Sequence, residues 1–193
     1  IIFGSTSKKI KNYLFIGNKF HINYNSKNES SIGNFKIEID RVNTPLYLDQ
    51  KLILYCIIYS ITVVKLLSVE NQANQKVYQS LEIFFNLLNN KFYFKDYIYW
   101  ELELLKNFGY ELNYADHTKI IKRNGVSIYV SKSDENKIIP DFLIKNKILN
   151  ISNSDLILAF DLTGDFMSKS ILNDNNLSIP EIRYEILKIL NNL

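Results

Sequence analysis

The sequence predicts an α+β chain: a small β segment over residues 1–43, then a helical domain over residues 44–193 that carries a β-hairpin insertion at about 117–131. Three observations predict it. His21-Ile22-Asn23-Tyr24 and Phe35-Lys36-Ile37-Glu38-Ile39 alternate apolar with polar residues, the period of strands with one buried face. From Leu46 onward the apolar residues recur at helical spacing instead. Lys119 to Val130 is two short β runs around Asn124-Gly125, a pair suited to a tight hairpin turn because both residues tolerate positive φ.

Within the first segment, Ile1-Ile2-Phe3-Gly4 looks like a strand already under way, and the chain does not begin with Met, so an N-terminal truncation is expected. Gly4 to Lys11 is a basic loop. Lys8, Lys9 and Lys11 stand beside hydroxyls and backbone N–H groups that together suit phosphates, although a short lysine cluster is more often a solvated loop. Asn25 to Asn34 is a polar connection between the two strands.

Asn43-Thr44-Pro45 breaks the pattern and marks the expected domain boundary. From Leu46 to Leu67, Leu52, Tyr55, Cys56, Tyr59, Val63 and Leu66 fall on one helical face; β-branched residues make strand a competitor, and length favours helix. A second helix is expected from about Asn74 to Asn89, with Val77, Leu81, Phe84, Phe85 and Leu88 inward. The central helix runs through Tyr99 to Phe108. Trp100, Glu103 and Asn107 fall near one line of it, while Tyr97, Leu104, Leu105 and Phe108 form a broad apolar face. Asp96 suits its N-terminal turn and Gly109 its stop. Beyond the hairpin and a polar loop from Ser131 to Lys137, Asp141 to Lys145 reads as a short helix. Ser154 or Asp155 is expected to cap a helix through Ile171 that buries Leu156, Ala159, Phe160, Thr163, Phe166 and Met167. Ser178 is expected to cap the last helix, with Pro180 and Glu181 in its opening turn.

Composition narrows the function classes. With 193 residues, 47% of them hydrophobic, the chain suits one domain or two small ones sharing a core, and disorder is not expected. Cys56 is the single cysteine and lies in an apolar run, which excludes a disulfide framework and a cysteine zinc site and points to a reducing cytoplasm. The longest apolar run, Leu52 to Val64, is short of the roughly 20 residues that span a bilayer, so no membrane partner is expected. Net charge is +3, but residues 1–43 hold seven Lys and Arg against three acids while the remainder is slightly acidic. That asymmetry points to a polyanion at the N-terminal segment. No catalytic constellation stands out: His21 and His117 have no sequence neighbours arranged as ligands or nucleophiles, Asp161 and Asp165 fall on a polar helix face, and the glycines form no phosphate-binding loop.

Four local segments resemble the RecO family of bacterial recombination mediators, in the same order and spacing. Phe3-Gly4-Ser5-Thr6-Ser7-Lys8-Lys9 looks like the family's glycine, serine and basic pair after an early barrel strand. Trp100 to Leu112 resembles its R-F-E-L-x-L-L-x-x-L-G-Y/F-x-L segment. Leu162-Thr163-Gly164-Asp165-Phe166 and Ser178-Ile179-Pro180-Glu181-Ile182-Arg183 look like the closing L-T-x-x-F and L-P-E-x-R segments of alphaproteobacterial members.

The resemblance implies a non-enzyme: an N-terminal OB-fold barrel, here incomplete because its first strands lie upstream of Ile1, followed by the helical domain. It implies binding to single- and double-stranded DNA, strand annealing, contact with the C-terminal tail of single-strand-binding protein, and loading of RecA with RecR, in the cytoplasm at the nucleoid. Many members carry a four-cysteine zinc module after the central helix; here the Lys119–Val130 hairpin stands in its place, so no metal or other cofactor is expected. Lys8, Lys9, Lys11, Lys19, Lys36 and Arg41 are the expected DNA contacts, with Lys119, Lys122 and Arg123 as a secondary contact. Tyr13, Phe15, Phe20, Tyr24 and Phe35 interleave with these cations, where they either fill the barrel or stack bases. Two rivals remain: an adaptor whose helical domain docks partner proteins while the lysines serve solubility alone, and, more weakly, a nucleic-acid enzyme.

Overall fold

The computed structural model describes residues 11–28, 33–145 and 150–193. It is α+β, and its residues group into two compact units, 1–65 and 66–193. Ile1-Ile2-Phe3 and the loop carrying Lys8 and Lys9 lie outside the described residues.

In the first unit the alternating segments form an antiparallel pair, β1 (Lys19–Asn25) and β2 (Asn34–Arg41). The register sets Phe20 opposite Ile39, Ile22 opposite Ile37 and Tyr24 opposite Phe35, so six apolar side chains share one face. The expectation that this face is buried is not met: among the described residues the sheet has two strands, and Ile22 and Tyr24 are 59% and 57% exposed. The sequence break at Asn43-Thr44 folds into this same unit. Asn18 Oδ1 accepts from the backbone N–H groups of Asn43 (2.9 Å) and Thr44 (3.2 Å), the Asn43 amide donates to the Gly17 carbonyl (2.8 Å), and the Thr44 hydroxyl donates to that of Ile16. Both residues are buried, and these bonds satisfy their polar groups. Thr44–Tyr47 then makes a 3-10 turn with Pro45 near its start. For that reason α1 (Lys51–Leu67) begins five residues after Leu46, where the periodicity alone would open it. It buries Cys56, Ile57, Tyr59, Ser60 and Val63.

The second unit is organised on the helix that carries Trp100. α2 (Gln75–Asn89) is capped by Asn74, whose side chain accepts from the Val77 N–H at 3.1 Å. α3 (Phe94–Asn107) has Asp96 in its first turn and ends as its sequence demands. Gly109 takes φ +93°, its N–H bonds the Lys106 carbonyl (2.8 Å), and the Tyr110 N–H reaches back to Leu105 (2.9 Å), a Schellman closure that a side chain at 109 would strain. The Trp100 indole N–H donates to the Ser80 carbonyl of α2 at 2.7 Å, and Phe84 stacks on its ring at 4.6 Å. Tyr97, Ile98, Leu104 and Leu105 are completely buried. Each contributes on the order of 1.5–3 kcal/mol from burial.

α4 (Asn153–Met167) brings Phe160 edge-on to Phe94 at 5.2 Å. Its cap is Ser152, not Ser154 or Asp155: the Ser152 hydroxyl accepts from the Asp155 N–H, and the Asp155 carboxylate accepts from the Ser152 N–H, each at 3.1 Å. The helix stops at Met167, short of Ile171, and passes into a π-helical turn over Ser168–Leu172 that buries Ile171 and Leu172. α5 (Ile182–Leu190) runs back along α4, its last carbonyl receiving the Asn153 amide at 2.7 Å. Ser178 does not cap it. The opening turn closes on backbone instead, Arg183 N–H to the Pro180 carbonyl and Tyr184 N–H to that of Glu181, both 3.0 Å.

Between α3 and α4 the expected hairpin forms, β3 (Thr118–Arg123) and β4 (Val126–Ser131), turning on Asn124 (φ 52°) and Gly125 (φ 79°). Ile138 bridges to Val130, extending the far side of β4 by one short pairing. Asp141–Leu143 is a 3-10 turn at the position of the expected short helix. None of the described helices is long and apolar enough to cross a membrane.

Candidate nucleic-acid interface

The cations that the sequence nominates are distributed over two hairpins, and cross-strand register decides which of them meet. On the first sheet, strand alternation puts Lys36 on the polar face, where it meets Glu38 at 3.5 Å. Lys19 meets Asp40 at 3.2 Å, and His21 approaches the same carboxylate at 3.5 Å. Arg41 pairs with Lys19 in the register at the irregular end of the sheet and is half-buried. Lys11 is exposed at the beginning of the described residues. Lys8 and Lys9 lie outside them. The first sheet therefore presents lysines interleaved with acids rather than a uniform cationic strip, and ion pairs at such exposure are worth about 0–1 kcal/mol, weak enough to exchange for a phosphate. Beside them Tyr13, Phe15, Tyr24 and Phe35 are 36–57% exposed, and Phe20 is half-buried.

On the second hairpin the three nominated cations separate. Lys119 and Arg123 share a face and converge on one residue of the following loop: Lys119 Nζ lies 2.6 Å from the Glu135 carboxylate and Arg123 Nη2 donates to the Glu135 carbonyl at 3.3 Å. The Lys119 hydrogen bond, reinforced by its charge, holds the Glu135 carboxyl below its ordinary value. Lys122 is exposed on the opposite face.

A third cluster is not apparent from the sequence. Asp165 Oδ2 accepts from Lys137 Nζ (2.7 Å) and Lys169 Nζ (3.2 Å), joining the loop after β4 to α4 and its π-helical turn. Hydrogen bonding from Lys137 is the main cause that lowers the Asp165 carboxyl below its ordinary value. These side chains border a groove of about 340 Å³ floored by Leu112, Ile139 and Phe166 and edged by His117. A second groove, about 490 Å³, lies between α2 and α3; Trp100, Glu103 and Asn107, which the helical wheel puts near one line, border it together.

Other titratable groups have structural duties. Tyr114 is buried, which pushes its phenol up to about 12, and its hydroxyl meets that of Thr163 at 3.3 Å. Arg183 and Glu101, both buried, pair at 2.5 Å. Their signal was present in the sequence: Glu101 sits four residues from both Tyr97 and Leu105 on the apolar face of its helix, and a carboxylate there requires a cation. Among the described residues no group of three or more His, Cys, Asp and Glu is placed to hold a metal ion.

A family model described as the C terminal of recombination protein O matches residues 52–138. Over 206 residues the chain is 26% identical to a DNA repair protein RecO from Ehrlichia chaffeensis, covering 95% of this chain and 83% of the relative. A DNA repair protein RecO from Rickettsia canadensis is 27% identical over 184 residues, 89% of this chain and 76% of the relative. No solved structure matches.

Proposed function

We propose that this chain is a member of the RecO family and acts in DNA repair as a non-catalytic recombination mediator. The observation that carries this reading is the extent of the similarity to DNA repair proteins, which spans both units rather than one fold module. The finer reading is that residues 1–43 form part of an OB-fold barrel and residues 44–193 the helical domain. Lys8, Lys9, Lys11, Lys19, Lys36 and Arg41 then neutralise phosphates on the first segment, and exposed aromatic rings stack bases. Annealing needs no catalytic group in this scheme: two strands held with their charges screened find each other. The partners proposed are single- and double-stranded DNA, RecR, the tail of single-strand-binding protein and, through RecR, RecA, at the nucleoid.

The pairing of Lys19 with Asp40 and of Lys36 with Glu38 favours a second reading, an adaptor without direct DNA contact. Fluorescence anisotropy of a labelled single-stranded oligonucleotide, titrated at several salt concentrations, separates the two. The mediator is expected to bind with little sequence preference and with log Kd rising linearly in log salt, by about 0.7 per phosphate contacted. Charge reversal at Lys8, Lys9 and Lys11 is expected to weaken that binding. Absence of binding at low salt would leave the adaptor.

A further inference from the structure

The β3–β4 hairpin has two chemically different faces. The inner one carries Lys119, Ile121, Arg123, Val126, Ile128 and Val130; Val130 at its base is completely buried, Val126 at the tip is 62% exposed, and both cations on this face bond Glu135. The outer one carries Ile120, Lys122, Ser127 and Tyr129, with Ile120 directly opposite Tyr129 and Lys122 opposite Ser127. Ile120 is 61% exposed, and Lys122 and Ser127 are exposed as well. From beyond the Asp141–Leu143 turn, Lys145 reaches back so that its ammonium lies 5.0 Å from the centre of the Tyr129 ring, while Asp141 accepts from it at 3.2 Å.

A partly exposed aromatic ring with a lysine against one side of it, an exposed lysine two residues along the neighbouring strand and a hydroxyl directly opposite that lysine is a combination that can hold one base on the remaining ring surface and its flanking phosphates by charge. A strand surface is suited to this because alternate side chains project together at about 6–7 Å, close to the spacing of successive nucleotides. We propose that this outer face, centred on Lys122, Tyr129 and Lys145, is a contact for single-stranded nucleic acid, and that Lys119 and Arg123 take no part in it. The proposal rests on the DNA-binding reading above and divides the three hairpin cations that the sequence presents as one group. Duplex DNA is the poorer occupant, since its bases are not free to stack on Tyr129.

The test uses the full chain and a labelled single-stranded oligothymidine. Lys122→Gln together with Tyr129→Leu is expected to raise Kd on the order of tenfold, the loss of one stacked base and one phosphate. Tyr129→Phe, which keeps the ring, is expected to bind as the wild type does. Lys119→Gln with Arg123→Gln on the inner face is expected to leave Kd within twofold. Lys122 is exposed, so Lys122→Gln alone serves as a variant that does not threaten folding, and it is expected to lower the salt slope by about 0.7. Wild-type affinity in the Lys122/Tyr129 variant, or a larger loss from the inner-face variant, would overturn this surface while leaving DNA binding intact. No binding by the wild type would overturn the DNA-binding reading and this surface with it.

Discussion

Arg183 of α5 and Glu101 of α3 form an ion pair at 2.5 Å in which both side chains are at least 98% buried, and the guanidinium lies 3.7 Å above the Phe160 ring of α4. One residue thus joins three helices. Its second nitrogen, Nη2, donates to the Phe160 carbonyl and to the other Glu101 oxygen. Removing either partner strands the other's charge. Arg183→Met or Glu101→Gln is expected to destabilise the chain by about 3–5 kcal/mol, and Glu101→Leu with Arg183→Met to recover part of that. Equilibrium urea unfolding measures all three; single-variant losses below about 1 kcal/mol would contradict the assignment.

Gly164 exists for that arginine. A Cβ built there would come within 2.5 Å of Arg183 Nε, and the guanidinium, pinned between Glu101 and Phe160, has no room to yield. Gly164→Ala gains roughly 1 kcal/mol of helix propensity yet is expected to lower the thermal midpoint, because overpacking costs about 1–3 kcal/mol. In an Arg183→Met background the penalty should shrink, a coupling that a double-mutant cycle reads directly.

Trp100 combines stacking with a hydrogen bond, and the two are separable. Trp100→Phe keeps the contacts to Phe84 and Tyr97 but loses the bond to Ser80, so a loss of about 1 kcal/mol is expected. Trp100→Ala should cost about 3–5 kcal/mol. Because Trp100 is the single tryptophan, circular dichroism is the appropriate probe.

The Lys137–Asp165–Lys169 cluster adds a modest acid sensitivity. The lysines hold the Asp165 carboxyl below its ordinary 3.8, so the stability it supplies is present above that pH and is lost as pH falls through the lowered value. All three side chains are more than one-third exposed, which limits the effect to less than about 1 kcal/mol. Asp165→Asn is expected to lower the midpoint slightly at pH 7 and to converge with the wild type as pH falls through the lowered value; a gap that does not narrow on acidification would exclude the cluster as the cause.

Where a single residue type decides an outcome, the sequence was legible. Gly109 announces the end of α3, Asp96 its beginning, and Asn124-Gly125 the hairpin. Where several residues are equally competent, it was not. Ser152, Ser154 and Asp155 all make good caps, and only the backbone's departure from helical angles at Ser152 distinguishes them. Likewise, strand alternation identifies β1 and β2 but is silent on whether anything covers their apolar face. The lysines were legible as a charge excess; their pairing with Asp40, Glu38 and Glu135 depends on register and loop closure, which a charge count does not contain.

The open apolar face of the first sheet has a consequence in time. A two-stranded sheet is marginal by itself, so among the described residues the amide protons of β1 and β2 should exchange with solvent through frequent local openings. Those around Leu104 and Leu105 in α3 are released only when the second unit unfolds as a whole. Among the described residues, the aromatic side chains of the first sheet are therefore freer to rearrange than those packed around α3.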